Sequence, residues 1–233
     1  MRKPWVKKEW CIPPKEDAAF GARMEDVLAV DARPPDAARP LVCFDEGSKE
    51  LHGEGRAPLP MIPEHPLCDD TEDERHGTAN LFLWSAPLLG KRGVTVTDRR
   101  SLVVFAHAIR DLVDVQFPDA ERIVLVLDNL NTHDPASLSL AFPPAEAKRL
   151  WDRLEVHPTP EHGSWLNVAE IEPSVLGRQC LDRRIPDRTT LATEVAAWVA
   201  ERNAEQVTVR WPFTTADART KLNHLSPVLA PAN

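Results

Sequence analysis

The chain has 233 residues and carries 28 Lys and Arg against 36 Asp and Glu, a net charge of −8. That length holds one large domain or two small ones with a real core, and the charge excludes a basic coat that grips nucleic acid everywhere. No run approaches the roughly eighteen apolar residues of a membrane span, the N-terminal MRKPWVKKEW lacks the apolar stretch of a signal peptide, and Cys11, Cys43, Cys68 and Cys180 form no Cys-x-x-Cys pair.

The expectation is therefore a reduced, cytoplasmic protein with no membrane partner. Two oddities of composition are 22 prolines and no tyrosine.

In chain order, the segment from Glu16 to Val30 spaces Ala19, Phe20, Met24, Val27 and Leu28 as a helix does. Pro34, Pro35 and Pro40 then make a stiff connector. LVCFD, residues 41–45, reads as a short buried strand closed by an acid. Residues 46–79 are polar, broken by Gly and Pro, and acidic around Glu64, Asp69, Asp70, Glu72, Asp73 and Glu74, which predicts loop. NLFLWSAP (80–87) and RGVTVTD (92–98) are two strands joined by a turn at Leu89–Lys91.

An amphipathic helix follows from Ser101 to Phe117, with Leu102, Phe105, Ile109, Leu112 and Val113 on its apolar face. RIVLVL, residues 122–127, is the clearest buried strand and runs into Asp128-Asn129. Beyond it the pattern is helical from Pro143, strand-like at LEVHP, and helical again through EHGSWLNVAEIEPSVLGRQCL. TTLATEVAAWVAERNAE is an amphipathic helix with Thr189 or Thr190 as its expected N-cap and Trp198 on its core stripe. Trp211 and Phe213 are expected to seal the C-terminal end. Strands, then a strand between helices, then helices describe an α/β fold with a mixed central β-sheet flanked by helices.

Acids at strand ends carry the chemistry. Asp45 closes the first strand, Asp128 closes the central one, and Glu170 and Glu172 open a helix after EHGSWLN. A carboxylate at a strand end is held rigidly where loops diverge, and three that converge suit Mg²⁺, a hard cation that takes oxygen ligands. Two such ions about 3.5–4 Å apart serve phosphodiester displacement. Taken one at a time, each acid is more often an N-cap or turn former than a metal ligand.

Longer blocks carry a resemblance. IVLVLDNLNTH (123–133), TPEHGSWLNVAEIE (159–172), SVLGRQCLDRRIPD (174–187), AAWVAERN (196–203) and WPFTTADARTKL (211–222) are similar to the DDE transposases of bacterial insertion sequences, in the mariner-like superfamily. WCIPP, MEDVL, LVCFDEG and DTEDERHGTANLFLW fit the same family in the same order, so the likeness runs from residue 10 to about residue 227.

It implies a ribonuclease-H-like fold, with residues 1–40 as an N-terminal helical linker, 41–227 as the catalytic domain and 228–233 as a tail. It also implies Mg²⁺-dependent DNA cleavage and strand transfer, with two Mg²⁺ ions (Mn²⁺ as substitute) on Asp45, Asp128 and Glu170. Glu172 is the second choice for the third acid, since residues two apart on a helix cannot face the same way.

Asn129, Asn131, His133, His162, Ser164, Trp165, Asn167, Arg75, Arg178 and Arg184 are the residues with which the resemblance would have the chain meet DNA. Each has a plainer role as turn former, cap, core aromatic or solvated cation. The partners implied are DNA at element ends and target, and a second copy of the chain, in the cytoplasm and on the nucleoid. The helix-turn-helix modules usual in the family precede no block here, so sequence-specific DNA binding is expected to be absent or to lie on a separate upstream polypeptide.

Glu161 stands where the family has Lys, Pro173 follows Glu172 directly, and the family's tyrosines are missing at Thr71, Asp73, Pro158 and Ser226. These departures make a catalytically decayed remnant, binding DNA or dimerising if it acts at all, the alternative expectation.

Overall fold

The computed structural model describes residues 18–55, 60–66, 72–128, 135–161, 163 and 166–221. Its frame is a five-stranded sheet of β1 (Leu41–Glu54), β2 (Asp73–Ala86), β3 (Lys91–Thr97), β4 (Ile123–Leu127) and β5 (Leu154–Pro158), in the order β3-β2-β1-β4-β5. The β1–β2 and β2–β3 pairs are antiparallel, and β1–β4 and β4–β5 are parallel. The parallel half requires crossovers, and helices supply them: α2 (Leu102–Asp111) leads into β4, and α3 (Pro135–Ala141) and α4 (Pro144–Asp152) lead into β5.

Alternation along the strands gives the sheet two apolar faces. Val42, Phe44, Phe82, Trp84, Ile123, Leu125 and Leu127 face α2, α3 and α4 in one core. On the opposite face Leu41, Cys43, Val124 and Val126 pack under α1 (Ala18–Asp31), which buries Phe20, Met24, Val27 and Leu28 there. Farther along that face Leu51, Leu81 and Leu83 meet α5 (Ile171–Leu176) and α6 (Arg188–Ala204) through Leu176, Leu191, Val195 and Trp198. The last helix, α7 (Thr215–Lys221), is tied to α1 by Arg219, whose guanidinium donates two 2.7 Å hydrogen bonds to Glu25. Trp211 and Phe213 lie partly buried against the α1 core, as expected for a seal.

Two expectations change. The polar stretch after Asp45 is strand as far as Glu54, and β2 already begins at Asp73, because the two segments pair as a long antiparallel ribbon with a bulge between Leu51 and His52. Much of that ribbon is exposed, so its side chains are polar and hide the alternation that marks a half-buried strand. The N-cap of α6 is Asp187, whose carboxylate accepts from the Thr190 amide at 2.8 Å and from the Thr190 hydroxyl at 2.8 Å. A carboxylate at this position also meets the positive end of the helix dipole.

Candidate active site

Parallel pairing places the first two acids. Cys43 stands opposite Val126 and Phe44 opposite Leu127, so Asp45 and Asp128 are the next step of the same register. Adjacent strands run about 4.8 Å apart, and alternation puts both carboxylates on the face that carries Cys43 and Val126. Asp45 Oδ1 accepts the Glu46 amide at 2.7 Å. Asp128 Oδ1 accepts the Thr159 hydroxyl at 3.2 Å, while the Thr159 amide bonds the Leu127 carbonyl at 2.9 Å. Thr159, which follows β5 directly, thereby steadies the second acid; the sequence alone gave no sign of this role. Glu46 turns to the other face, nearly inaccessible, with its Oε2 3.3 Å from Arg100 Nε.

The third acid arrives on a 3₁₀ turn, Val168–Glu170, that leads into α5. Asn167 caps the turn by accepting the Ala169 amide at 3.0 Å and donates its own amide to the Phe44 carbonyl at 2.9 Å. One side chain thus ties the residue before Glu170 to the residue before Asp45. The Glu170 side chain is exposed. The Asp45 carboxyl is pushed up to about 6, chiefly by burial; the Glu46 amide pulls the other way, and the neighbouring charges of Asp128, Glu170 and Glu46 add a smaller push.

Glu172 has a different environment. It is 2 % exposed, its Oε2 lies 3.1 Å from Arg92 Nε, and its Oε1 accepts from Arg202 at 3.4 Å. Neither arginine stood out in the sequence, because a lone Arg in a strand or on a helix reads as a solvated cation. Pro173 sits in the first turn of α5, where an amide hydrogen has no partner within the helix, so it is accommodated without a broken bond.

The remaining expected contacts divide. Arg75 is exposed on β2, and Arg178 is exposed with its guanidinium donating to Ser174 Oγ at 2.8 Å. Arg184 Nε pairs with Asp73 Oδ1 at 2.5 Å, which spends part of its charge within the protein. Asn167, expected to meet DNA, is 1 % exposed with both ends of its amide engaged by the backbone, so its place is inside the fold. Asn129, Asn131, His133, His162, Ser164 and Trp165 lie outside the described residues.

Asp45, Asp128 and Glu170 offer only carboxylate oxygens, a donor set that suits hard divalent ions such as Mg²⁺ or Mn²⁺. Burial is the main reason that the Asp45 carboxyl is raised, and the charges of Asp128, Glu170 and Glu46 add to it. Among the described residues, no three His, Cys, Asp or Glu side chains stand close enough to chelate one ion as they are.

The chain is similar in fold to the Mos1 mariner paired-end complex with Mn, at 15% identity and a TM-score of 0.57, over 89% of this chain and 63% of that one. It is likewise similar to the Mos1 transposase paired-end complex with left transposon end (15% identity, TM-score 0.59, 93% and 67% covered) and to the Mos1 strand transfer complex (14% identity, TM-score 0.58, 93% and 66% covered). The chain thus spans about two thirds of these relatives' length. At such identities the likeness speaks for the fold, the ribonuclease-H-like architecture of a mixed sheet flanked by helices. No curated protein matches. Residues 40–192, more than half of the chain, match the family described as DDE superfamily endonuclease, and the chain belongs to that family.

Proposed function

We propose that the chain is the catalytic domain of an insertion-sequence transposase, with Asp45, Asp128 and Glu170 as the ligands of two Mg²⁺ ions or their Mn²⁺ substitutes. The observation that supports this reading is the parallel β1–β4 register, which sets Asp45 beside Asp128 at adjoining strand ends, with Glu170 on the turn that Asn167 ties to β1. The chemistry two such ions supply is activation of the attacking hydroxyl and stabilisation of the leaving oxygen in phosphodiester displacement.

The protein's own residues prepare that site. Thr159 orients Asp128, the Glu46 amide orients Asp45, and Asn167 holds the turn bearing Glu170 against β1. The substrate in this reading is DNA, at the element ends and then at the target. The Mos1 structures are paired-end complexes, which supports a homodimer of this chain that holds two ends.

The test is nicking of a supercoiled plasmid that carries the DNA flanking the chain's own coding sequence, in Mg²⁺ and in Mn²⁺. Metal-dependent nicking that disappears in Asp128→Asn supports the reading. Equal nicking by wild type and variant, or none from wild type with a helix-turn-helix module supplied in trans, favours the decayed remnant.

A further inference from the structure

Behind the exposed Glu170 lies a buried ionic cluster that the site chemistry does not use. Arg92, on the edge strand β3, is 1 % exposed, and Glu172 is 2 % exposed. Arg92 Nε and Glu172 Oε2 are 3.1 Å apart, in contact as ions though not aligned as a hydrogen bond. The rest of the Arg92 guanidinium is anchored to the end of α6: one terminal nitrogen donates to the Arg202 carbonyl at 2.9 Å and the other to the Val207 carbonyl at 2.6 Å. The Arg92 backbone is held too, since the Asn203 side chain accepts from its amide at 2.9 Å and donates to its carbonyl at 2.8 Å. Arg202 closes the group by donating to Glu172 Oε1 at 3.4 Å while its guanidinium lies 5.3 Å from the centre of the Trp198 ring.

Burying two guanidinium groups and a carboxylate is costly, and a buried ion network contributes less to stability than well-packed apolar residues would. What such a network can supply is a fixed arrangement. Helical residues turn by about 100° each, so two positions apart they face nearly opposite ways. With Glu172 drawn inward to Arg92 and Arg202, Glu170 is turned outward, toward the ends of β1 and β4. Asn167 fixes the near end of this segment to β1, and Glu172 fixes the far end to β3 and α6.

We propose that Glu172, gripped by Arg92 and Arg202, is a positioning residue that sets Glu170 against Asp45 and Asp128 and so determines how tightly the three acids hold a divalent ion. This rests on the metal-site reading above. It assigns Glu172 no contact with metal or substrate.

The test is titration of the full chain with Mn²⁺, read as loss of the free-ion electron paramagnetic resonance signal. Wild type is compared with Glu172→Gln and with Leu150→Ala, a core truncation in α4 that lowers stability on the other side of the sheet. The expected result is affinity weakened about 10–100-fold in Glu172→Gln, helical circular dichroism retained, and affinity unchanged in Leu150→Ala. Wild-type affinity in folded Glu172→Gln overturns the proposal, as does an equal loss in Leu150→Ala.

Should Glu172→Gln fail to fold, Arg202→Gln removes one grip and leaves the Arg92–Glu172 contact. A several-fold loss is then expected, and an unchanged affinity overturns the proposal. Failure of wild type to bind Mn²⁺ strikes the metal-site reading itself and is seen before any variant is made.

Discussion

Asn167 donates its side-chain amide to the carbonyl of Phe44 at 2.9 Å, across 123 positions of sequence, and in doing so joins the peptide before Glu170 to the peptide before Asp45. The same side chain accepts the Ala169 amide, so a single buried residue satisfies one backbone acceptor and one backbone donor that water cannot reach.

Asn167→Ala leaves both of those groups unpaired. Each orphaned buried group costs about 1–3 kcal/mol, so urea unfolding is expected to show a loss of several kcal/mol. A loss under about 0.5 kcal/mol would mean that the backbone finds other partners and that the tie is dispensable.

Glu170 and Glu172 should respond very unequally to neutralisation. Glu170→Gln touches an exposed side chain and is expected to shift stability by no more than about 0.5 kcal/mol. Glu172→Gln strips a buried pair of its anion, and breaking a buried ion pair from one side costs about 3–5 kcal/mol. Thermal unfolding of the two variants side by side checks this, and the reverse order would reassign the two acids.

Asp31 gives stability a pH dependence. At the end of α1 its carboxyl is pushed up to about 7 by burial, and neither oxygen has a hydrogen-bond partner. The folded state therefore binds this proton more tightly than the unfolded state. The stability that follows is complete below about pH 4 and is lost as the pH rises through 7. Asp31→Asn removes the titrating group, so its stability relative to wild type should rise between about pH 4 and 7, by at most about 4 kcal/mol at 1.36 kcal/mol per unit. Unfolding curves at several pH values measure it, and a gap that does not change with pH would contradict the assignment.

The cap of α6 is also testable. Asp187→Ala should cost about 1 kcal/mol, and Thr189→Ala clearly less, since the Thr189 hydroxyl does not cap the helix. Equal costs would return the cap to the threonines.

Much of this was legible in the sequence, for identifiable reasons. β4 is apolar throughout and α2 repeats its apolar residues at helical spacing, so both stood out, and with them the positions of Asp45 and Asp128 at strand ends. The ribbon beyond Asp45 was hidden because neither of its faces is consistently buried. The choice between Glu170 and Glu172 was open by spacing alone, and the structure separates them by environment: one exposed near Asp45, the other buried between Arg92 and Arg202. Those arginines left no mark, since a buried guanidinium has the same letter as a solvated one. Asn167 resembled a DNA contact for the same reason, its surroundings being set by residues far away in sequence.

The central claim is that Asp45, Asp128 and Glu170 form one metal site, and Mn²⁺ binding tests it most directly. Counting bound Mn²⁺ by electron paramagnetic resonance, the account predicts two ions per wild-type chain, with binding lost or reduced to one weak site in Asp45→Asn, Asp128→Asn and Glu170→Gln. Binding of the same stoichiometry and affinity in wild type and in all three variants would contradict it.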